Sequence, residues 1–344
     1  MSTPTTSGQT TAGTSTRQSW LLALVRLREI GIIFFILLLV VGVSIRSPAF
    51  LSVDNFRDIL LNISILTIVA LAQAMVIITG GIELSVSSTI GLVAMMTAFV
   101  VARLAGFPPW LAVPLGLLLG MVLGSVNGLL IAGGGLPPII ATLGTLSIYR
   151  GLVFYYSGGT WINAFELPAA FKEIAKGTPL GVPNLILFAV VVAILIYYFL
   201  NYTRLGRDIY AVGSNKVAAQ MAGVRVSRTI FMVYLISGML AGLAGVLWAS
   251  RFESAQTNTA LGFELQTVAA SVVGGVSVLG GSGTVPGVIL GAFLLGIINN
   301  ALTLVRISPF WQLAAQGLLI LLAVIVDFVI SRQLQRMVAV RRRA

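Results

Sequence analysis

Long apolar runs with almost no charged residues dominate this sequence, for example 57–79 and 183–201. A helix needs about 20 apolar residues to cross the hydrocarbon core of a bilayer, so each such run predicts a spanning helix. Charged residues make up 9% of the chain, whereas a soluble domain carries about 25%. The chain is therefore predicted to be an all-α polytopic membrane protein with one membrane-embedded domain.

The apolar pattern predicts ten spans, of which 264–280 is the weakest because it is short and rich in glycine. The domain division comprises an unstructured tail and amphipathic lead-in at 1–29, a transmembrane domain at 30–330 with a cytoplasmic loop at 202–228, and a basic tail at 331–344. The predicted spans cover about 30–46, 57–79, 86–103, 110–132, 138–157, 183–201, 229–250, 264–280, 285–305 and 309–330.

Lysine and arginine are distributed unevenly between the loops. An even number of spans places both termini on one side, and that side then holds 13 Lys and Arg residues against 7 on the other, with Arg150 inside a span. Positive residues stay on the cytoplasmic side, so both termini are predicted to be cytoplasmic. This orientation puts 201–228 in the cytoplasm and 157–182 outside. It also accounts for the net charge of +11 without a nucleic-acid partner.

Residue types needed for catalysis and metal binding are scarce. The chain has no His and no Cys, which removes the commonest general base, the commonest metal ligand and any disulfide. No Gly-Lys dipeptide occurs, so the chain has no P-loop for ATP. We therefore expect no enzymatic activity, no catalytic residue, no metal site and no cofactor.

Polar residues inside the predicted spans are the candidates for a substrate pathway, because burying them in the membrane costs free energy unless they have partners. Most are neutral, and they serve either as hydrogen bonds between helices or as the lining of a path for a hydroxyl-rich solute. Arg150 is charged, lies about two turns from the outer end of its span, and has no acidic partner evident in the sequence. The candidate pathway residues are Gln73, Asn127, Thr142, Arg150, Asn299 and Asn300.

Glycine has two roles in this sequence. It recurs at every fourth residue of the fourth and seventh predicted spans, and at Gly287 and Gly291 of the ninth, which predicts ridges along which a neighbouring helix packs closely. It also interrupts the helical pattern at 80–85 and 274–283, and the loosely similar sequences around these breaks suggest an internal repeat. Glu83 and Glu264 stand at helix starts, where a carboxylate either caps the helix or contacts the substrate. The ridge glycines are Gly116, Gly120, Gly124, Gly128, Gly238 and Gly242, and the predicted capping or gate motif comprises Gly80, Gly81, Glu83 and Glu264.

The longest polar interval after the N-terminal tail is 201–228, which holds five of the 21 Lys and Arg residues. It has a basic start, a break at 213–215, a short Ala-rich helical piece at 216–222 and a basic end. This organisation predicts a docking segment for a soluble partner, although a basic loop held at lipid headgroups has the same composition. Because the chain has neither a P-loop nor a proton relay, we expect the energy for transport to enter at this segment.

Four motifs in order along the chain resemble one transporter family. They are GGIELSVSS (80–88), NGLLIAGGGLPPIIATLGTLSIYRG (127–151), the run from Gly206-Arg207 through Gly213-Ser214-Asn215 to Gly223-Val224, and ELQTVAASVVGGVSVLGGSGTVPG (264–287). Over residues 40–330 the chain resembles the permease subunits of bacterial ABC sugar importers, in the ribose, xylose, rhamnose and autoinducer-2 family. It departs from the usual Asp, Gly and Gly of that family at Glu83, Ser87 and Ala260.

The resemblance implies a multi-pass permease of the bacterial inner membrane that moves a monosaccharide or sugar-like solute into the cytoplasm. The implied partners are a separate ABC ATPase, a periplasmic or lipid-anchored sugar-binding protein, a second permease subunit, identical or not, and membrane lipid. A stand-alone secondary transporter and a membrane scaffold are the alternatives. The resemblance also implies that the ATPase contacts the cytoplasmic loop 202–228, which we call the coupling segment. The implied contact residues are Gly206, Arg207, Gly213, Asn215, Lys216, Ala219 and Gly223.

Overall fold

The computed structural model describes residues 15–179 and 181–305, and beyond them only single positions between 308 and 325; side chains are described from residue 30 onward. Within these residues the regular structure is helical, apart from one isolated antiparallel bridge between Ile162 and Ala255. This confirms the predicted fold class. The α-helices are α1 (Ser15–Arg46), α2 (Val53–Ile78), α3 (Val86–Arg103), α4 (Ala112–Gly128), α5 (Pro138–Ser157), α6 (Ala169–Lys176), α7 (Asn184–Tyr202), α8 (Arg204–Ser214), α9 (Lys216–Met221), α10 (Val226–Phe252), α11 (Phe263–Val273) and α12 (Val285–Leu304).

Seven helices in the described part of the chain are long and apolar enough to cross a membrane, and each coincides with a predicted span. The first predicted span forms the C-terminal part of α1, whose apolar stretch is Ile30–Arg46. The predictions for 1–14, 309–330 and 331–344 lie outside the described residues, apart from isolated positions of the tenth span. The orientation of the termini stays a prediction, and we use it to name the end that carries α8 and α9 the cytoplasmic end.

The predicted span at 264–280 is wrong in its length, because α11 ends at Val273. Gly275 adopts φ +101°, a left-handed conformation, and the N–H of Val276 donates to the carbonyl of Ser271. This is the hydrogen-bond pattern of a Schellman helix end, which glycine favours. The chain then turns without regular helix through residues 276–284 before α12 begins.

The break after α2 is built in the same way as the break after α11. Gly80 adopts φ +80°, and the N–H of Gly81 donates to the carbonyl of Val76. The two turns touch at the cytoplasmic end, where the N–H of Gly281 donates to the carbonyl of Ile78 over 2.9 Å. The two breaks therefore share one type of helix end and contact each other, while the internal repeat stays a prediction.

The core is organised around α2, whose residues from Ile63 to Ile78 are all buried. Beside it, α4 and α10 cross at the predicted glycine ridges. A Cβ added at Gly120 would overlap the carbonyl oxygen of Gly238, and one added at Gly242 would overlap that of Gly116. Only glycine permits this approach of two backbones, so the predicted close packing is confirmed.

Two kinds of contact fasten the outer loop between α5 and α7 to the outer end of α10. The Ser250 hydroxyl donates to the carbonyl of Phe171 (2.8 Å) and accepts from the N–H of Ala175 (2.9 Å). Glu253 forms ion pairs with Lys172 (3.1 Å) and with Lys176. Helix α6 is therefore held against the membrane domain.

Candidate functional site

A cavity of about 540 Å³ opens at the outer end of the bundle between α2, α10, α11 and α12. Its volume falls within the range of small-molecule sites, about 300–1,000 Å³. Both aromatic and polar side chains line it. The lining residues are Asp58, Asn62, Ile65, Leu66, Trp248, Arg251, Phe252, Phe263, Gln266, Gly296, Asn299, Asn300 and Thr303.

The aromatic part of this outer cavity is a cluster around Trp248. The Phe263 ring meets Trp248 edge-on with centroids 5.2 Å apart, and the Phe252 ring lies at the same distance on a tilt. The guanidinium of Arg251 stands 4.9 Å from the centre of the Phe252 ring. Sequence reasoning missed this aromatic cluster, and the available signal was a Trp and a Phe close to Arg251 at a span end.

The polar part of the outer cavity consists mainly of amides. Arg251 donates to the side-chain oxygen of Asn62 over 2.9 Å, and Asn300 donates to that of Asn55 over 2.8 Å. The side-chain oxygen of Asn300 itself is buried without a hydrogen-bond partner in the described residues. The fold thus brings together two predicted pathway residues, Asn299 and Asn300, and adds others that sequence reasoning missed.

A second polar cluster lies inside the bundle, around the extended segment that leads from the first turn into α3. Glu83 is 4% exposed, and one of its oxygens accepts from the N–H (2.8 Å) and the hydroxyl (2.6 Å) of Ser85. Its other oxygen accepts from the amide of Asn127 over 2.9 Å. Asn127 also donates to the Ser85 hydroxyl over 2.9 Å. The carboxylate therefore fastens the start of α3 to α4.

Gln73 and Thr142 hold the backbone of the same segment. The Gln73 amide, oriented to satisfy both groups, donates to the carbonyl of Glu83 (2.9 Å) and accepts from its N–H (3.1 Å). The Thr142 hydroxyl lies 3.2 Å from the carbonyl of Ile82 and 2.9 Å from that of Pro138. Three of the six predicted pathway residues thus converge on one broken helix start, away from the outer cavity.

Arg150 fixes a third irregular segment, the loop between α10 and α11. Its guanidinium donates to the carbonyls of Thr257 (3.0 Å) and Thr259 (2.9 Å). No ion pair within 4.0 Å joins Arg150 to an acidic residue in the described part of the chain, so the two backbone carbonyls are its hydrogen-bond partners. Glu264 lies in the first turn of α11, as predicted. The contact between Arg150 and the loop could not be read from the sequence, because it joins two distant elements.

The coupling segment folds into two short helices joined at Asn215. The side chain of Asn215 accepts from the N–H of Ala218 over 3.0 Å and so caps α9. Gly223, with φ +82°, ends α9, and the N–H of Val224 donates back to the carbonyl of Ala219 over 3.0 Å. The predicted break and the short helical piece after it are both present.

The predicted coupling residues divide into two groups. A Cβ at Gly213 would overlap the carbonyl oxygen of Ile78 and would lie 2.6 Å from the nitrogen of Gly281, so both turns press on this glycine. Nearby, the Tyr210 hydroxyl donates to the carbonyl of Gly283 over 2.9 Å. Residues packed against the chain itself are Gly206, Gly213 and Ala219, and exposed ones are Arg207, Asn215, Lys216 and Gly223.

Spanning helices interrupted by two turns that touch, with a polar cavity at one end, are typical of membrane transporters. Residues 55–324 match the family described as "Branched-chain amino acid transport system / permease component". The chain belongs to this family, and it is a permease component of an ABC-type import system in the bacterial inner membrane. The resemblance drawn from the four motifs is thereby confirmed.

Several curated relatives cover most of the chain. It is 38% identical to the ribose import permease protein RbsC of Haemophilus influenzae, over 85% of this chain and 90% of the relative. Identity to the D-allose transport system permease protein AlsC of Escherichia coli is 35%, over 87% and 91%. Identity to the autoinducer 2 import system permease protein LsrC of an Enterobacter species is 37%, over 91% and 90%. No solved structure matches the chain.

Proposed function

We propose that this chain forms the translocation pathway for a sugar or sugar-like solute and that the outer cavity receives that solute. The relatives named for ribose, D-allose and autoinducer 2 support a small, uncharged, hydroxyl-rich substrate. This chain supplies no P-loop, so ATP hydrolysis belongs to a separate ATPase subunit and the permease itself catalyses no reaction. A sugar-binding protein delivers the solute at the outer face, and a second permease subunit completes the pathway.

The composition of the outer cavity is the observation that carries this proposal. A sugar ring has an apolar C–H face and a rim of hydroxyl groups. The Trp248 cluster offers flat apolar surface, and the amides of Gln266, Asn299 and Asn300 offer donors and acceptors of no net charge. Asp58 and Arg251 are the charged side chains among the described lining residues, and their charges balance. Such a cavity lining, which has no net charge, would provide little electrostatic attraction for an anionic or cationic solute.

The coupling segment supports the proposed ATPase contact. On α9, Val217 is 64% exposed and Met221 is 85% exposed, and Lys216 beside them is exposed as well. Two large apolar side chains on a cytoplasmic surface fit a protein partner better than water. A push on α9 would reach both turns through Gly213, since that glycine lies directly against Ile78 and Gly281.

Uptake by reconstituted vesicles tests the proposal. The permease is reconstituted with a candidate ATPase and a candidate sugar-binding protein, and radiolabelled ribose and D-allose are supplied outside. We expect uptake that requires ATP and all the components. Uptake by the permease alone, driven by an ion gradient, would instead establish a secondary transporter.

A second measurement isolates the ATPase contact. Met221→Asp places a charge on the exposed face of α9 and should abolish co-purification of the ATPase while the permease still inserts. Phe165→Asp is the matched control, because Phe165 is 86% exposed in the outer loop. ATPase retention by both variants would place the docking surface elsewhere.

A further inference from the structure

A second cavity, of about 280 Å³, lies at the cytoplasmic end between α8 and the start of α10. Arg204, Arg225 and Arg228 line it, and all of them are exposed. In the described part of the chain, none of these arginines has an ion-pair partner within 4.0 Å. Asp208 is the one acidic residue among the lining residues, so the charged lining is dominated by cations.

The turn after α9 creates this basic cavity. Gly223 ends α9 in the left-handed conformation, and the chain returns so that Arg225 and Arg228 come to the same cavity as Arg204. Arg204 is the first residue of α8, and Arg225 directly precedes α10. Helix starts carry a partial positive charge. Two of them near the three guanidinium groups add to the attraction for an anion.

Tyrosines place the basic cavity at the membrane surface. Tyr197, Tyr198 and Tyr202 at the cytoplasmic end of α7 are 43%, 61% and 61% exposed, and Tyr198 stacks on Tyr202 with centroids 5.4 Å apart. Exposed tyrosines at a helix end mark the headgroup level of a bilayer. Tyr202 stands only two residues before Arg204 in the sequence, so the cavity opens at the depth of the lipid phosphates.

We propose that the basic cavity binds the phosphate of an anionic phospholipid of the cytoplasmic leaflet. Guanidinium groups suit phosphate because their N–H groups form paired hydrogen bonds with its oxygens. The exposed apolar residues Val217 and Met221 are not among the residues that line the cavity, which separates the lipid site from the proposed ATPase surface. A lipid bound here would tie α8 to α10 and so hold the coupling segment against the membrane.

Lipid binding by the full-length permease tests this inference. The protein is purified in detergent and titrated with phosphatidylglycerol or phosphatidylcholine, and bound lipids are counted by native mass spectrometry. Replacing Arg204, Arg225 and Arg228 together by Gln should weaken phosphatidylglycerol binding about tenfold or more, because each cation near an anionic surface adds to the attraction. Phosphatidylcholine binding should not change. Replacing the same residues by Lys keeps the charge but loses the paired hydrogen bonds, so it should retain part of the phosphatidylglycerol affinity and thereby show that the site still folds.

Matched controls separate this site from general attraction to the loop. Arg207→Gln with Lys216→Gln removes two charges from the same segment outside the cavity and should leave phosphatidylglycerol binding unchanged. An equal loss in this control would overturn the proposal, as would full binding by the triple Gln variant. Displacement of the lipid by equimolar glycerol 3-phosphate would point to a soluble phosphate instead. Loss of the ATPase by the triple variant with unchanged lipid binding would assign the arginines to protein docking.

Discussion

The two ends of this bundle differ in how they are packed. At the cytoplasmic end, backbone meets backbone: Gly213 of α8 presses on Ile78 and Gly281, and Gly80 and Gly275 end the helices that lead there. At the outer end, large side chains stand around a cavity of about 540 Å³. Backbones in direct contact have no side chains that could change rotamer to absorb a movement. A displacement of one segment is therefore transmitted to the other. A cavity walled by amides and aromatic rings leaves room for a ligand. The following substitutions test this contrast.

Gly213→Val should have the largest effect. A side chain there meets two backbones that cannot move aside, and overpacking of a packed interior costs about 1–3 kcal/mol or more. We expect a drop in unfolding temperature of the purified permease and poor yield. Gly42→Val is the control, since no atom lies within 4 Å of a Cβ at Gly42. Equal stability of the two variants would mean that the cytoplasmic contact is loose.

Asn127→Leu should come next. It removes the donor to Glu83 and Ser85, and a buried acceptor left without its donor costs about 1–3 kcal/mol. Chemical denaturation of the purified protein measures this loss. Ser125→Ala on the same helix is the control, because Ser125 bonds only within its own helix, to the carbonyl of Met121. If Ser125→Ala costs as much, the cluster around Glu83 has no special part in stability.

Asn299→Leu should affect transport rather than stability. It keeps the approximate volume of a residue that lines the outer cavity but removes its hydrogen-bonding groups. We expect sugar uptake to fall up to about tenfold, the value of one good hydrogen bond to a ligand. The unfolding temperature should stay near that of the wild type. Asn201→Leu, far from the cavity, should retain uptake; a similar fall there would remove Asn299 from the proposed site.

Ala260→Gly should stabilise the loop between α10 and α11. Ala260 adopts φ +57°, where a Cβ costs about 1–2 kcal/mol and glycine does not pay that penalty. Glycine also raises the entropy of the unfolded chain, which offsets part of this stabilisation. We therefore expect the free energy of unfolding to rise by about 1 kcal/mol or less. Thermal unfolding measures the gain. Ala249→Gly, inside α10, should have the opposite sign, and a loss in both variants would contradict the strain at Ala260.

Glu253→Gln should have the smallest effect, and it should depend on pH. Hydrogen bonds from Lys176 and Lys172 lower the pKa of Glu253 below its ordinary value of 4.5. The ionised form therefore stabilises the fold above pH 4.5, and this contribution is lost as the pH falls through the lowered pKa. The free energy of unfolding of the wild type should exceed that of the variant by about 0.5 kcal/mol or less at neutral pH. In acid the two free energies should be equal. Parallel pH curves for wild type and E253Q would refute the linkage.

Local sequence predicted the helical elements well, because apolar runs, capping residues and glycines act within a few residues. The break at Asn215, the end of α9 at Gly223 and the non-helical segment after Gly80 were all readable in this way. The end of α11 was missed, since an apolar stretch that continues past Gly274 has the composition of a span but not its helical geometry. The glycine ridges predicted close packing, but not that α4 and α10 are the partners.

The candidate site residues show where prediction from sequence stopped. Polarity alone selected Asn299, Asn300, Gln73 and Asn127. The fold places Asn299 and Asn300 at a cavity, whereas Gln73 and Asn127 bond to Glu83 and hold it in place. The partner of each group decides its role, and partners come from distant elements. Arg150 contacts the carbonyls of Thr257 and Thr259 for the same reason.

The sequence by itself determined the class of this protein, a helical membrane permease, and it predicted a docking segment at 201–228. Composition and short motifs suffice for this, because membrane insertion and helix capping depend on local chemistry. Only the tertiary structure decided that Gly213 and Ala219 pack against the chain itself while Val217 and Met221 face outward. It also decided that three arginines from two helices share one cavity. Such juxtapositions depend on how the helices cross. The crossing is determined by contacts between side chains that are many residues apart in the sequence.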